Sequence, residues 1–131
     1  MDTLAIDKMM RGGAILGEVL GEVLGNVCVG VSELELDRLA EKLIIQKGGA
    51  PGFKKVPGYH HTICISVNDV VVHGIPTNRI LKEGDVVGID CGVYFEGYHT
   101  DMAETLRVST QNSKLKTQNS EKIDNFLRVG K

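Results

Sequence analysis

Apolar residues recur at intervals of three and four positions over residues 3 to about 27, which is the spacing of an amphipathic helix. The five glycines of this segment weaken its helix propensity, each by about 1 kcal/mol relative to alanine. Three of them, Gly17, Gly21 and Gly25, repeat every four residues and should lie on one helix face. We expect this face to let another backbone come close.

A second helix has clear boundary signals. Ser32 and Glu35 are spaced for a capping box, in which each side chain accepts a hydrogen bond from the backbone amide of the other residue. A stripe of apolar residues follows, and Gly48-Gly49 ends it. The two periodic segments therefore predict two helices within residues 3–47.

From residue 59 to residue 108 the pattern changes to the alternation of strands, after a loop rich in glycine, proline and lysine over 48–58. We predict a strand at Thr62–Val67 and a return strand at Val70–Val72. A longer hairpin follows and turns at Glu96-Gly97, because glycine readily takes the positive φ of a tight hairpin turn.

The position of that turn sets the register of the hairpin. Asp90 should lie opposite Ala103, and Asp101 opposite Gly92. Because side chains alternate between faces, both carboxylates point to the same side, as diagonal neighbours roughly 7–8 Å apart by backbone. The other face is apolar and should pack on the core; it consists of Val87, Ile89, Cys91, Val93 and Phe95.

Two carboxylates that converge in a confined place repel each other, and burial raises the cost of their charge. Either one of them is protonated or cations neutralise them. Hard divalent metals bind through oxygen ligands, and pairs of metals bridged by carboxylates support hydrolysis. Spacing alone leaves open the alternative that both aspartates are solvated on an open sheet face.

Two histidines are further candidates for chemistry. His73 follows three valines and is placed to contact a substrate or a metal, although a structural role is the commoner outcome for a single histidine. His99 lies two residues before Asp101, on the same hairpin face, and is placed to orient a carboxylate. A simple surface histidine is an equal alternative for this position.

Composition narrows the class of protein. A length of 131 residues with 42% hydrophobic content suits one globular domain or part of a larger one, and a net charge of −2 argues against nucleic-acid binding. No apolar run approaches the ~20 residues that span a bilayer, and the N-terminus is too polar for a signal peptide. The cysteines Cys28, Cys64 and Cys91 lack zinc-type spacing, and Cys64 and Cys91 fall within strand patterns, so we expect buried free thiols in a reducing cytoplasm.

The character of the chain changes after Val108. Thr110–Ser113 recurs as Thr117–Ser120 within a polar stretch, 109–119, that we interpret as a surface loop. A new helix then begins, 120–131, whose apolar face has few residues to continue it. We therefore expect an interrupted, incomplete chain.

Three segments resemble the type I methionine aminopeptidases: Thr62–Pro76, Leu81–Tyr94 and Gly97–Asp101. The motif Val-Val-His-Gly-Ile-Pro, followed by Ile-Asp-Cys-Gly-Val-Tyr and Gly-Tyr-His-Thr-Asp, is far longer than a chance match, and the similarity runs from the first helix to about Val108. The resemblance implies an α/β (α+β) pita-bread fold with antiparallel hairpins packed against helices. Residues 1–131 would form only the N-terminal part of the catalytic domain.

The resemblance also implies a site. Asp90 would bind one divalent metal ion with both oxygens and Asp101 would bridge two such ions, of Co, Mn, Fe or Zn. A metal-bridged water would attack the first peptide bond of a chain beginning with methionine, while His73 contacts the substrate. The implied substrates are nascent polypeptides, with proximity to the ribosome but no contact with nucleic acid or membrane.

Three further positions enter through the resemblance alone. Phe53, Tyr59 and Cys64 would lie near the pocket for the methionine side chain, although this loop varies in the family.

The chain also departs from the family. The second half of such enzymes supplies a further His and two Glu ligands, another catalytic His and the glutamate base, none of which has a counterpart in these 131 residues. We therefore expect a fragment without activity of its own. Two alternatives are a non-catalytic pita-bread binding module, in which the aspartates would usually be replaced, and an Xaa-Pro peptidase of the same fold. The His-Gly-Ile-Pro segment favours methionine removal.

Overall fold

A computed structural model describes residues 3–68 and 74–109 of the chain. In this part, two helices pack on one face of a four-stranded antiparallel sheet. The helices are α1, Thr3–Gly25, and α2, Glu33–Gln46. The strands are β1, Ala50–Pro51, β2, Ile63–Val67, β3, Val86–Phe95, and β4, Tyr98–Arg107, and a 3₁₀ turn lies at Phe53–Lys55.

The capping box at the start of α2 is confirmed. The backbone N–H of Glu35 donates to Ser32 Oγ at 3.1 Å, and the N–H of Ser32 donates to Glu35 Oε1 at 2.9 Å. At the other end, Gly48 has φ +93°, which glycine adopts without a steric cost, and α2 stops there.

The expectation that the repeated glycines of α1 admit another backbone is wrong at Gly17, where an added Cβ would meet nothing within 4 Å. The close approach occurs at Gly12 instead, where a Cβ would lie 3.3 Å from the Cβ of Phe95. The larger apolar side chains decide which face of α1 packs on the sheet, and Gly17 lies beside that stripe, between the buried residues Leu16 and Val19.

The strand β3 is the centre of the sheet. Its whole length pairs with β4 on one edge, whereas β2 and β1 share the other edge, opposite residues 87–91 and 93–94 respectively. The strand β1 was not expected, since two residues of a loop rich in glycine and proline carry no alternating pattern. The predicted return strand Val70–Val72 lies outside the described residues.

The apolar face of the hairpin is buried as predicted. All five of its predicted residues are 8% exposed or less, and they pack with the apolar stripes of α1 and α2. Both helices lie on this side, so the opposite face of the sheet carries the alternate residues, among them Cys64, Asp90 and Asp101. Within the described residues, no helix has the length and apolar character needed to cross a membrane.

Three further predicted features cannot be compared with the fold. The Thr110–Ser120 repeat and the helix at 120–131 lie outside the described residues, as does His73.

Candidate functional site

Asp90 and Asp101 lie on the same face of the β3–β4 hairpin. Asp90 pairs with Ala103 and Asp101 with Gly92, which is the register that the sequence predicted. The turn residues Glu96 and Gly97 have φ +47° and +96°, as expected for a two-residue hairpin turn with positive φ at both positions. The two carboxylates are therefore diagonal neighbours on adjacent strands, with backbones about 7–8 Å apart.

The two aspartates differ in their surroundings. Asp90 is half-buried and its Oδ1 is shielded from solvent, whereas Asp101 is exposed at the sheet surface. Cys64 lies directly opposite Asp90 on β2. Burial raises the pKa of the Cys64 thiol; a hydrogen bond with Tyr59 opposes that shift, and the charge of Asp90 adds to it. Cys64 is consequently a neutral thiol at neutral pH.

A cleft of about 310 Å³ lies beside Asp101, lined by Gly52, Phe53, Val56, Gly92 and His99 among others. Its wall depends on the absence of a side chain at Gly92, where a Cβ would lie only 2.8 Å from Phe53 Cε1. Gly52 comes directly before the 3₁₀ turn that begins with Phe53, and its N–H donates to the carbonyl of Gly92 at 3.0 Å. The aromatic ring therefore lies directly over Gly92, which pairs with Asp101 and is two residues from Asp90 on β3.

The Gly92→Ala variant is expected to push the Phe53 ring out of the cleft wall and to lower the free energy of unfolding by about 1–3 kcal/mol, the usual cost of overpacking. Gly88→Ala is the matched control on the same strand and face, because its Cβ would meet Thr105 Oγ1 at an ordinary 3.5 Å. Urea unfolding followed by circular dichroism measures the free energy of unfolding of both variants, and the Phe53 ring signals in NMR spectra report the displacement of the ring. Equal effects of the two substitutions would contradict the placement of Phe53 over Gly92.

Phe53, Tyr59 and Cys64, which the sequence grouped only by resemblance, are neighbours. The Tyr59 ring meets the Phe53 ring edge-on at 6.2 Å between centroids, and the Tyr59 hydroxyl interacts with the Cys64 side chain. The hydroxyl donates its one proton to the carbonyl of Ile63 at 2.6 Å. Burial, foremost, and the hydrogen bond with Cys64 raise the pKa of Tyr59, so its phenol stays protonated.

His99 is exposed on the same face as Asp101 and lines the cleft with it. Its ring packs on Tyr94 with centroids 4.8 Å apart, and Lys55 Nζ lies 4.4 Å from the centroid of Tyr94. The Tyr94 ring therefore contacts both the Lys55 ammonium and the His99 imidazole, and of these three groups His99 lines the cleft. The role of His99 towards a carboxylate stays a prediction, as does any role of His73.

Sequence reasoning missed one residue close to this site. Asp37 on α2 is 6% exposed, and its Oδ1 accepts the backbone N–H groups of Thr62 and Ile63, which precede and begin β2. A signal existed, because Asp37 falls within the buried stripe of α2 together with Leu36 and Ala40. An acidic residue on a buried helix face needs a partner.

The carboxylate pair fits part of a metal site. Carboxylate oxygens are the ligands that hard divalent cations prefer, and Asp90 and Asp101 present them on one face. Across residues 3–68 and 74–109, however, no group of three or more histidine, cysteine or acidic residues is arranged to hold a metal ion. Within these residues, Asp90 and Asp101 are two candidate ligands, and their role towards a metal stays a prediction.

Comparison with known proteins identifies the family of the chain. The model of metallopeptidase family M24 matches residues 7–125. The methionine aminopeptidase of Clostridium perfringens is 47% identical over 103 residues, which are 79% of this chain and 41% of that protein. The crystal structure of methionine aminopeptidase from Thermotoga maritima matches with a TM-score of 0.80 at 28% identity, over 98% of this chain and 51% of that one.

A prolidase from Pyrococcus furiosus matches with a TM-score of 0.72 at 21% identity, over 82% of this chain and 30% of that one, which is a likeness of fold alone. The chain thus spans about half the length, or less, of the proteins it matches. The helices packed on an antiparallel sheet and these neighbours confirm the expected α/β pita-bread architecture, of which the chain covers a part. Since the family model matches most of its length, this chain belongs to metallopeptidase family M24.

Proposed function

We propose that residues 1–131 form the N-terminal part of the catalytic domain of a metal-dependent methionine aminopeptidase. The observation that carries the proposal is the placement of Asp90 and Asp101 on one hairpin face beside a cleft, in a chain of a metallopeptidase family. The substrate is the N-terminal methionine of nascent polypeptides, encountered in the cytoplasm near ribosomes. His73 contacts that substrate.

Each residue at the site has a distinct part in this proposal. Asp90 and Asp101 hold two divalent cations, of Co, Mn, Fe or Zn. Bound cations of this kind polarise a carbonyl and make a coordinated water acidic. The Phe53 ring, which packs edge-on against Tyr59, gives the cleft an apolar wall, and this suits the thioether side chain of methionine. His99 orients the carboxylate of Asp101.

Calorimetric titration with Mn²⁺ tests the carboxylate pair. We expect weak binding to the chain, because two carboxylates leave most coordination positions to water. The double variant Asp90→Asn with Asp101→Asn should abolish this binding. The control is Asp7→Asn with Glu18→Gln, which makes the same change in charge at two exposed positions of α1 and should leave the binding intact. Unchanged binding by the Asp90 and Asp101 double variant would remove the basis of the proposal.

Peptide hydrolysis tests the expected inactivity of the chain. The 131 residues with added Mn²⁺ or Co²⁺ should give no measurable hydrolysis of Met-Gly-Met-Met, because Asp90 and Asp101 alone leave most coordination positions of two cations to water. Release of methionine would overturn the expected inactivity, whereas cleavage of an Xaa-Pro dipeptide would favour the Xaa-Pro peptidase instead.

A further inference from the structure

Asp37 connects the helix layer to the start of β2. Its Oδ1 accepts the N–H of Thr62 at 2.8 Å and the N–H of Ile63 at 2.9 Å, and the side chain is buried. Hydrogen bonds from amides to a carboxylate are shorter and stronger than bonds between neutral groups, and less competed for by water when buried. The backbone at the beginning of β2 is therefore held firmly by a side chain from α2.

The backbone N–H and carbonyl of Ile63 both point away from β3. Its N–H donates to Asp37, and the next outward-facing N–H, that of Ile65, donates to the carbonyl of Gly74 at 2.8 Å. The carbonyl of Ile63 accepts the Tyr59 hydroxyl at 2.6 Å. Two side chains thus take the place of a neighbouring strand at Ile63, which satisfies backbone groups that a sheet edge would otherwise expose.

We propose that Asp37 is a positioning residue for the wall of the cleft, because it holds the N–H of Ile63, the residue whose carbonyl accepts the Tyr59 hydroxyl. The Tyr59 ring in turn supports Phe53, which lies over Gly92 and lines the cleft beside Asp101. Fixing Ile63 therefore fixes the two rings that the proposed function assigns to the methionine side chain. The inference rests on that function and names the residue that maintains the shape of its substrate pocket.

Glu33 provides a matched comparison within the same helix. It is also 6% exposed, and its Oε1 also accepts two hydrogen bonds, from the N–H of Thr77 at 2.9 Å and the hydroxyl of Thr77 at 3.1 Å. These bonds secure the segment after Pro76 and not the loop that carries Tyr59. Removing Glu33 therefore costs stability in a similar way without releasing Tyr59.

Amide exchange and tyrosine fluorescence of the metal-free chain test the inference. The chain contains no tryptophan, so its emission comes from tyrosine, and the difference from a Tyr59→Phe variant isolates the part due to Tyr59. In Asp37→Ala we expect the Ile63 amide to exchange about tenfold faster or more, since its hydrogen bond is lost. The Tyr59 emission should shift towards that of a solvated tyrosine.

Two further variants separate positioning from general destabilisation. Asp37→Asn retains an acceptor oxygen at the same place and should restore both the slow Ile63 exchange and the Tyr59 emission. Glu33→Ala should speed exchange at Thr77 and leave Tyr59 emission unchanged. Unaltered Tyr59 emission in Asp37→Ala, or an equal change in Glu33→Ala, would overturn the inference.

If Asp37→Ala fails to fold, Tyr59→Phe tests the same connection from its other end. Loss of the hydroxyl should change the Phe53 ring signals in NMR spectra while the Ile63 amide stays protected by Asp37. Unchanged Phe53 signals would contradict the proposal. A failure of the proposed function is seen separately, in the Mn²⁺ titration, which depends on Asp90 and Asp101 and not on the tyrosine readout.

Discussion

Ile89→Ala is expected to lower the free energy of unfolding by about 2–5 kcal/mol, because truncation of a buried isoleucine loses its transfer free energy and leaves a cavity. Ile89 is 1% exposed at the middle of the central strand, paired with Ile65 on one side and Glu104 on the other. Its face of the sheet is covered by α1. Domains are stable by only about 5–15 kcal/mol in total, so this variant approaches the limit of folding.

Urea unfolding followed by circular dichroism at 25 °C measures this loss. Ile45→Ala is the matched control, because the same side chain on α2 is 58% exposed and its removal should change stability by no more than about 0.5 kcal/mol. A similar loss in both variants would contradict a core centred under β3.

Asp85→Ala is expected to lower the free energy of unfolding by about 1–3 kcal/mol at pH 7, and by progressively less in acid. The buried carboxylate of Asp85 accepts Asn68 Nδ2–H at 3.0 Å and the backbone N–H of Lys82 at 2.9 Å. Asn68, which has φ +55°, in turn accepts the N–H of Val86 at 2.9 Å. The loss therefore loosens both the end of β2 and the start of β3.

The sign of the pH dependence follows from the direction of the pKa shift. The hydrogen bond from Asn68, followed by that from Lys82, lowers the pKa of Asp85 below its ordinary value. Its stabilisation is therefore complete above the unfolded-state pKa, about 3.9, and is lost as the pH falls through the folded-state pKa.

Urea unfolding between pH 7 and pH 2.5 measures this dependence. The difference in free energy of unfolding between the native chain and Asp85→Ala should narrow below about pH 4. Asp7→Ala is the control, because this aspartate forms only an exposed ion pair with Arg11, worth less than about 1 kcal/mol. A gap as wide at pH 2.5 as at pH 7 would show that the charged form of Asp85 contributes nothing.

The local features of the fold could be predicted well from the sequence. The capping box at Ser32 and the stop at Gly48 involve residues within one helical turn of each other, so short motifs determine them. The same is true of the Glu96-Gly97 turn. Because that turn sets the register of β3 and β4, the shared face of Asp90 and Asp101 followed from the sequence alone.

Features that depend on distant parts of the chain were missed or mistaken. The strand β1 forms only because β3 offers it an edge, and its two residues have no pattern of their own. The glycine repeat indicated a contact at Gly17 that the fold does not make, and the close approach at Gly12 depends on where Phe95 lies in the folded chain. The room for the Phe53 ring above Gly92 is likewise a property of two segments about forty residues apart in sequence.

The sequence by itself therefore determined the two helices, the β3–β4 hairpin and the pair of aspartates on one of its faces, because 3.6- and two-residue periodicity, caps and tight turns act over a few residues. Only the tertiary structure decided that a cleft lies beside Asp101, that Phe53 lines it and packs on Tyr59, and that Asp37 holds the start of β2. These contacts join residues far apart in the chain, whose meeting depends on the packing of helices on the sheet and not on local pattern.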